Sequence, residues 1–342
     1  AMRLVKVYPD SQKEAEDAIR GGVLTNSDSD VVLKSGLMLF RIEDLWNDTR
    51  ANANIISILQ GYSDPRLERW FATNNADIYS TDDELSPVVE KATKYLGVRQ
   101  GVPMTRTEYQ GYSKTSRVGI PEEGPRPVLR VAEAYFLRAE GMLRNWNMGD
   151  GTPESLYNEG IHSAWASVLG DESGWAGTYE SYINGFINTE EGGDFDWELF
   201  EGGFGSAPYI NYRNQEYNYY IEENGKQVGI NRISVRWHDE DSPEKKLQRI
   251  ITQKWISFFP TLSSVAWTEY RRTGYPKLIP IPSDLNYSNG AIDTELQIRR
   301  LPFTQSEYRG NTEEVNKALG LLKGPDNGGT RLWWDVDKGN FE

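Results

Sequence analysis

The sequence predicts a mainly α fold, built on a tetratricopeptide-type helix pair with a loop-rich C-terminal portion and a few short strands. Three observations predict it. From Pro127 onward, Leu129, Ala132, Phe136, Ala139 and Leu143 recur at helical spacing, with Glu133, Arg138 and Glu140 off that face. Thr152 as N-cap and Pro153 at the first helical position then open a partner helix carrying Leu156, Gly160, Ile161, Ala164, Trp165 and Val168. Small residues on both faces permit close approach, so residues 127–170 form an antiparallel pair. By contrast, residues 171–230 are rich in Gly, Asn and aromatics and show poor periodicity, which marks a long insertion without a regular pattern.

The remaining elements follow in chain order. Ser11 with Glu14 reads as a capping box for a helix through Ala15, Ala18 and Ile19, stopped by Gly21 and Gly22. Residues 26–30 resemble the start of a calcium loop. Val31, however, stands where the sharp turn needs Gly, and Leu37 where the closing Glu would be, so the stretch reads as a turn. Ile55, Ile56, Ile58 and Leu59 mark a helix ended by Gly61, followed by a turn at Asp64–Leu67. Residues 70–116 mix short extended pieces with loops. No internal repeat extends the helix pair.

Ser242 and Pro243 start a further helix with Leu247, Ile250, Ile251, Trp255 and Phe258 on one stripe, which Pro260 ends. Ala266, Trp267 and Tyr270 form a short helix that delivers Arg271–Pro276 into a tight turn. Residues 276–282 are extended, as their alternate prolines enforce. A loop over 320–329 leads to Trp333 and Trp334.

Composition narrows the function. With 342 residues the chain can bury a sizeable core, and its eleven Trp and nineteen Tyr cannot all lie deep inside it. A net charge of −14 argues against nucleic acid, whose phosphates need a basic surface. The mean hydropathy is −0.64, and no apolar run reaches the length of a membrane span. The absence of cysteine removes disulfides, thiolate nucleophiles and zinc-thiolate sites.

Three ordered motifs carry a family resemblance: Gln253-Lys254-Trp255 with Ala266–Pro276, then Arg299–Phe303 with Glu307 and Asn311, then Arg331–Asp335. In them the chain resembles the SusD/RagB family, outer-membrane glycan-binding lipoproteins of Bacteroidetes. The resemblance implies one SusD-like domain over 1–342, with the family motifs concentrated in 242–342. It also implies that Met2–Val7 corresponds to the end of an interior helix, so that the family's N-terminal part is missing here together with the signal peptide and lipidated cysteine. Functionally it implies a non-catalytic cell-surface binder that delivers oligosaccharide to a SusC-like TonB-dependent transporter. No cofactor is implied, and membrane attachment would be only through the lipid anchor.

Read on their own terms, the residues suit binding better than catalysis. His162 and His238 are the only histidines, and neither sits in a zinc-binding pair; His162 fits a structural role. No phosphate-cradling loop, dinucleotide fingerprint or nucleophile elbow is present. The acidic residues Glu190, Glu191, Asp194, Asp196, Glu198 and Glu201 offer the best case for a glycoside hydrolase, which needs two opposed carboxylates. Crowded in one loop, they read more simply as a solvated face, and a calcium site at Asp194 and Asp196 is weakly signalled. Sugar binding asks for flat rings beside polar side chains. Trp46 with Asn47, Asp48 and Arg50 fits that pattern, as do Tyr109, Tyr112, Trp175 and Trp197. For any single one, core packing is the commoner role. Arg271 and Arg272 are expected to hold the fold through buried ion pairs, and Trp255, Trp267, Trp333 and Trp334 to be core. A structural transporter lid that binds a non-sugar nutrient is the remaining alternative.

Overall fold

The computed structural model describes residues 1–33, 49–62, 64–73, 95, 97–98, 100–101, 105, 112–114, 126–184, 220–223, 226–229, 233–281 and 285–342. The fold is mainly helical. Helices α1 (Ser11–Arg20), α2 (Ala53–Gly61) and α3 (Arg66–Trp70) precede the long pair α4 (Val131–Leu143) and α5 (Pro153–Leu169). After the pair come α6 (Ala176–Ile183), α7 (Pro243–Ser257), α8 (Ser263–Thr273), α9 (Gln305–Gly310) and α10 (Thr312–Leu319). Strands are confined to two antiparallel ribbons, β1 (Val31–Leu33) with β2 (Arg126–Leu129), and β3 (Tyr220–Glu223) with β4 (Lys226–Gly229). Val31 pairs with Leu129 and Leu33 with Arg126 across the first; Glu223 pairs with Lys226 at the tip of the second.

The helix pair is the scaffold. Thr152 accepts from the Ser155 amide at 3.1 Å, and Ser155 Oγ accepts from the Thr152 amide in return, closing a capping box at the start of α5. The N-terminus of α4 is served from a distance. Asp30 accepts from the Val131 amide at 2.8 Å and from Arg130 at 3.1 Å, so the turn at 26–30 anchors the helix. Gly160 lets the two helices meet: a Cβ there would stand 2.7 Å from the Phe136 ring.

Helix α7 lies against both members of the pair. Ser242 caps it, accepting from the Lys245 amide at 3.3 Å. Its Ile250 and Ile256 join one core with Ile56, Leu59, Phe136, Tyr157, Ile161 and Trp165, while Leu247 and Ile251 pack with Tyr275. The Tyr62 and Tyr157 hydroxyls donate to the Ile233 and Val235 carbonyls, each at 2.7 Å, which fixes the segment leading into α7.

Two local readings of the sequence are corrected here. Ser11 does not cap α1: Asp10 holds that position, the Ser11 hydroxyl is buried without a partner, and Glu14 accepts from Tyr8 instead. The stretch after 171 also opens with regular structure. Trp175, Tyr179 and Tyr182 share the inner face of α6 and its first turn, packing against Trp165 with ring centroids 5.7, 5.5 and 4.8 Å away. Their i, i+4, i+7 spacing was the available signal. The β3–β4 hairpin was also announced, by Asn224-Gly225 between two short runs.

Gly160→Ala should destabilise the chain by about 1–3 kcal/mol, although alanine alone would favour the helix by about 1 kcal/mol. Chemical denaturation of the two proteins side by side checks the sign: the ring contact sets it, so the variant should unfold at lower denaturant.

Candidate functional site

Beneath the C-terminal region lies a network of buried charge that positions everything above it. Helix α7 sends Gln253 and Lys254, consecutive residues about 100° apart on the helix, to two different destinations. Gln253 reaches a sealed cluster: Arg66 holds Asp64 through both carboxylate oxygens at 2.9 and 2.6 Å. Tyr182 donates to Asp64 at 2.8 Å, and Gln253 donates to Tyr182 at 2.9 Å. Lys254 lies between Glu269 on α8 and Glu133 on α4, at 3.4 and 3.6 Å. Arg272 on α8 grips Glu140 of α4 with two bonds, 2.6 and 2.8 Å, and Glu269 with a third at 2.5 Å. Arg144 adds a second guanidinium to Glu140 at 2.8 Å.

Burial by itself would raise the carboxyl pKa of Glu269. Lys254 and Arg272 more than reverse that and hold it at about 2. Burial likewise opposes the charge on Arg272, yet Glu140 and Glu269 outweigh it and hold the guanidinium above its ordinary range. Of Arg271 and Arg272, both expected to hold the fold through buried ion pairs, Arg272 does so; Arg271 is a quarter exposed, donates to the Arg299 carbonyl and comes no nearer than 3.9 Å to Asp335.

Past Thr273, Gly274 takes a left-handed conformation (φ 79°) and ends α8. The turn leaves Arg271 facing outward, a quarter exposed, at the edge of a cleft of about 300 Å³. The other wall is the segment 331–340, tied down by Arg299. This buried guanidinium clamps Asp335, with one bond of 2.6 Å, and also donates to the Arg271 carbonyl at 3.0 Å. Arg331 adds a bond to Asp335 at 3.2 Å. From the start of the chain, Arg3 and Lys6 close one end of the cleft, and Lys6 Nζ donates to the Lys338 carbonyl at 2.9 Å.

Trp334 lines this cleft and is 42% exposed, while Trp333 beside it is 69% exposed. Their rings stand perpendicular, 88° apart with centroids at 5.6 Å. Both were expected in the core. They are not, because the segment after Thr330 has no helix or strand to turn them inward and is held by Arg299 and Asp335 instead. Trp267 and Trp255 are half-buried, Trp267 stacking on Tyr270 at 5.7 Å.

Of the residues read as sugar contacts, Trp46, Asn47, Asp48, Tyr109 and Trp197 lie outside the described residues, as does the acidic stretch 190–201. Arg50 and Tyr112 are half-buried, and the Ala51 amide donates to the Ser113 carbonyl at 2.8 Å, which brings them to adjoining backbone segments. Trp175 is elsewhere and is 6% exposed; its indole nitrogen donates to the Gly170 carbonyl at 3.1 Å. Its ring faces are occupied by Trp165, His162 and Tyr179, so it presents none to a ligand. Trp333 and Trp334, which the sequence reading missed, are the exposed indoles among the described residues. No group of three or more metal-ligating side chains is assembled among the described residues.

Two of the cleft's three carboxylates, Glu244 and Asp335, are engaged in holding, while Glu295 is exposed. Glu244 accepts from the Tyr275 hydroxyl at 2.8 Å and from Asn340 at 2.6 Å, and Asp335 is shared by three arginines. What this arrangement can do is present ring faces and cationic donors to a ligand from a rigid base.

Comparison with known proteins adds the following. A family model described as SusD and RagB outer membrane lipoprotein matches residues 1–181 and 204–335. No curated protein matches. Among solved structures, a chitin-binding SusD homologue from Flavobacterium johnsoniae is 36% identical, with a TM-score of 0.73, over 99% of this chain and 62% of its own. A SusD homologue from Bacteroides vulgatus is 32% identical with a TM-score of 0.71, over 99% and 61%. One from Bacteroides uniformis is 28% identical with a TM-score of 0.73, over 98% and 62%. The chain thus spans about three fifths of the length of these solved relatives.

Because Glu269 is depressed from 4.5 to about 2, its contribution to stability is present above pH 4.5 and is lost as pH falls from there toward 2. Glu269→Gln should lower stability at neutral pH by about 3–5 kcal/mol, since Lys254 and Arg272 would lose a buried partner. It should also flatten the acid limb of stability against pH. Denaturant titrations across that range, on both proteins, read out both effects.

Proposed function

The chain belongs to the SusD/RagB family of outer membrane lipoproteins, and from that premise we propose that it is a non-catalytic binder of oligosaccharide at the cell surface. The observation that carries this reading is the pair of exposed indoles, Trp333 and Trp334, the second of them lining a cleft whose base is held by ion pairs. A sugar ring offers C–H groups on its face and hydroxyls around its edge. An indole covers that face with little loss of side-chain freedom, and the neighbouring Arg271 and Arg331 reach hydroxyls. The chitin-binding activity stated for the F. johnsoniae homologue supports a glycan as ligand. The engaged state of Glu244 and Asp335 also favours holding over bond cleavage.

Family membership supports the rest of the proposal: a lipid-anchored position at the outer membrane, and delivery of the bound glycan to a SusC-like TonB-dependent transporter. Arg50 and Tyr112 remain proposed as further contacts, together with the rings and polar groups at 46–48, 109 and 197. No helix among the described residues is long and apolar enough to cross a membrane.

Purified chain should be retarded in native gels containing at least one soluble glycan from a broad panel. The double change Trp333→Ala, Trp334→Ala should weaken that binding by about tenfold or more. Both side chains are exposed, so the melting transition should move by no more than about 0.5 kcal/mol equivalent. Release of reducing ends from the panel would instead assign a hydrolase, and retardation by no glycan would assign a lid for another nutrient.

A further inference from the structure

The cleft carries the opposite sign to the chain around it. Over a protein of net charge −14, seven basic side chains line this one place against three acidic ones. Two of these three acids are already committed, and the third, Glu295, is exposed. Asp335 serves Arg299 and Arg331, and Glu244 serves Tyr275 and Asn340. Arg272 is neutralised from behind by Glu140 and Glu269. Arg3, Lys6 and Lys338 are left with no carboxylate in ion-pair range among the described residues; Arg271 donates from one nitrogen to the Arg299 carbonyl and approaches a carboxylate, Asp335, only to 3.9 Å.

The local balance is felt by these groups. Burial, and next the Arg272 charge, push the Lys6 ammonium below its ordinary range. Burial and then Arg299 do the same to Arg271. Lys6 nonetheless spends one of its three N–H donors on the Lys338 carbonyl, which draws the Lys6 side chain and the Lys338 backbone together at one end of the cleft. Neutral hydroxyls are served well by amides and carboxylates, and a site for them has no need to concentrate cations. An oxyanion on the ligand would remove the like-charge repulsion and gain charge-assisted bonds, roughly twice the strength of neutral ones.

We infer that the cleft takes an acidic oligosaccharide, bearing carboxylate or sulfate, with a ring against Trp334 and its anionic group met by Lys6, Lys338 and Arg271. The inference rests on the glycan-binding reading above and specifies its substrate class. Trp334 and the exposed Leu296 supply the apolar wall, and the cations supply the discrimination against neutral chains.

Affinity electrophoresis of the 342-residue chain through polygalacturonate, chondroitin sulfate, laminarin and glycol chitin tests it. Binding to one of the two acidic polymers should exceed binding to both neutral ones by about tenfold and weaken as NaCl rises. Which acidic polymer wins separates carboxylate from sulfate. Lys6→Gln with Lys338→Gln should weaken binding of the acidic polymer about tenfold more than binding of a neutral one, while Lys13→Gln, outside the cleft, changes neither. If the Lys6 variant fails to fold, Arg3→Gln with Lys338→Gln tests the same charge from exposed positions. Equal or preferred retention by a neutral polymer overturns the inference and leaves the glycan-binding reading standing, as does an acidic affinity indifferent to these changes. Retention by no glycan overturns both. Tighter retention of polyglutamate than of any glycan overturns the inference by assigning the cleft to an acidic protein segment.

Discussion

The structure depends on one arrangement of buried charge: Glu133 and Glu140 on α4, Lys254 on α7, and Glu269 and Arg272 on α8. Three helices from distant parts of the sequence meet there. Ions taken out of water are costly unless each is matched, so the network tolerates few geometries. Apolar packing holds α7 on the helix pair but would permit rotation or sliding by a fraction of a turn. Two guanidinium bonds to Glu140, and a third to Glu269, do not permit it. The network thus contributes register as much as stability, and α8 is the element whose register it sets.

From α8 outward the same logic is repeated once. Arg299 ties the 331–340 segment to the end of α8 by binding both the Asp335 carboxylate and the Arg271 backbone. A segment without helix or strand is thereby tied to α8 by side-chain bonds in place of a backbone ladder. This is how two indoles can be presented at the surface without collapsing onto the nearest apolar patch. The cleft between the two tied segments inherits its shape from the ion pairs below it and its charge from cations that those pairs leave over.

Much of the scaffold was legible from local pattern. Thr152-Pro153 and Ser242-Pro243 announce helix starts because capping is decided by neighbours in sequence, and Gly274 announces a stop because few other residues accept a left-handed backbone. Where the cap came from elsewhere, the local rule failed. Asp30 serves α4 from a hundred residues away, and Ser11, with Glu14 at the right spacing, caps nothing. The candidate site was less legible still. Trp175 looked exposed because it stands beside Gly174 in a polar stretch, yet the spacing to Tyr179 and Tyr182 turns it inward. Trp333 and Trp334 looked like core because they are large and adjacent within a family motif.

The sequence by itself determined the mainly helical fold, the family, the close contact that Gly160 allows, and the commitment of Arg272 to ion pairs. Each of these is written in spacing or in a motif, which are properties of residues near one another in the chain. Only the tertiary structure decided which indoles reach solvent and where, among the described residues, cations gather without a carboxylate in ion-pair range. Exposure is the outcome of contacts between segments as far as 332 positions apart, as Lys6 and Lys338 are, and no local pattern carries that information.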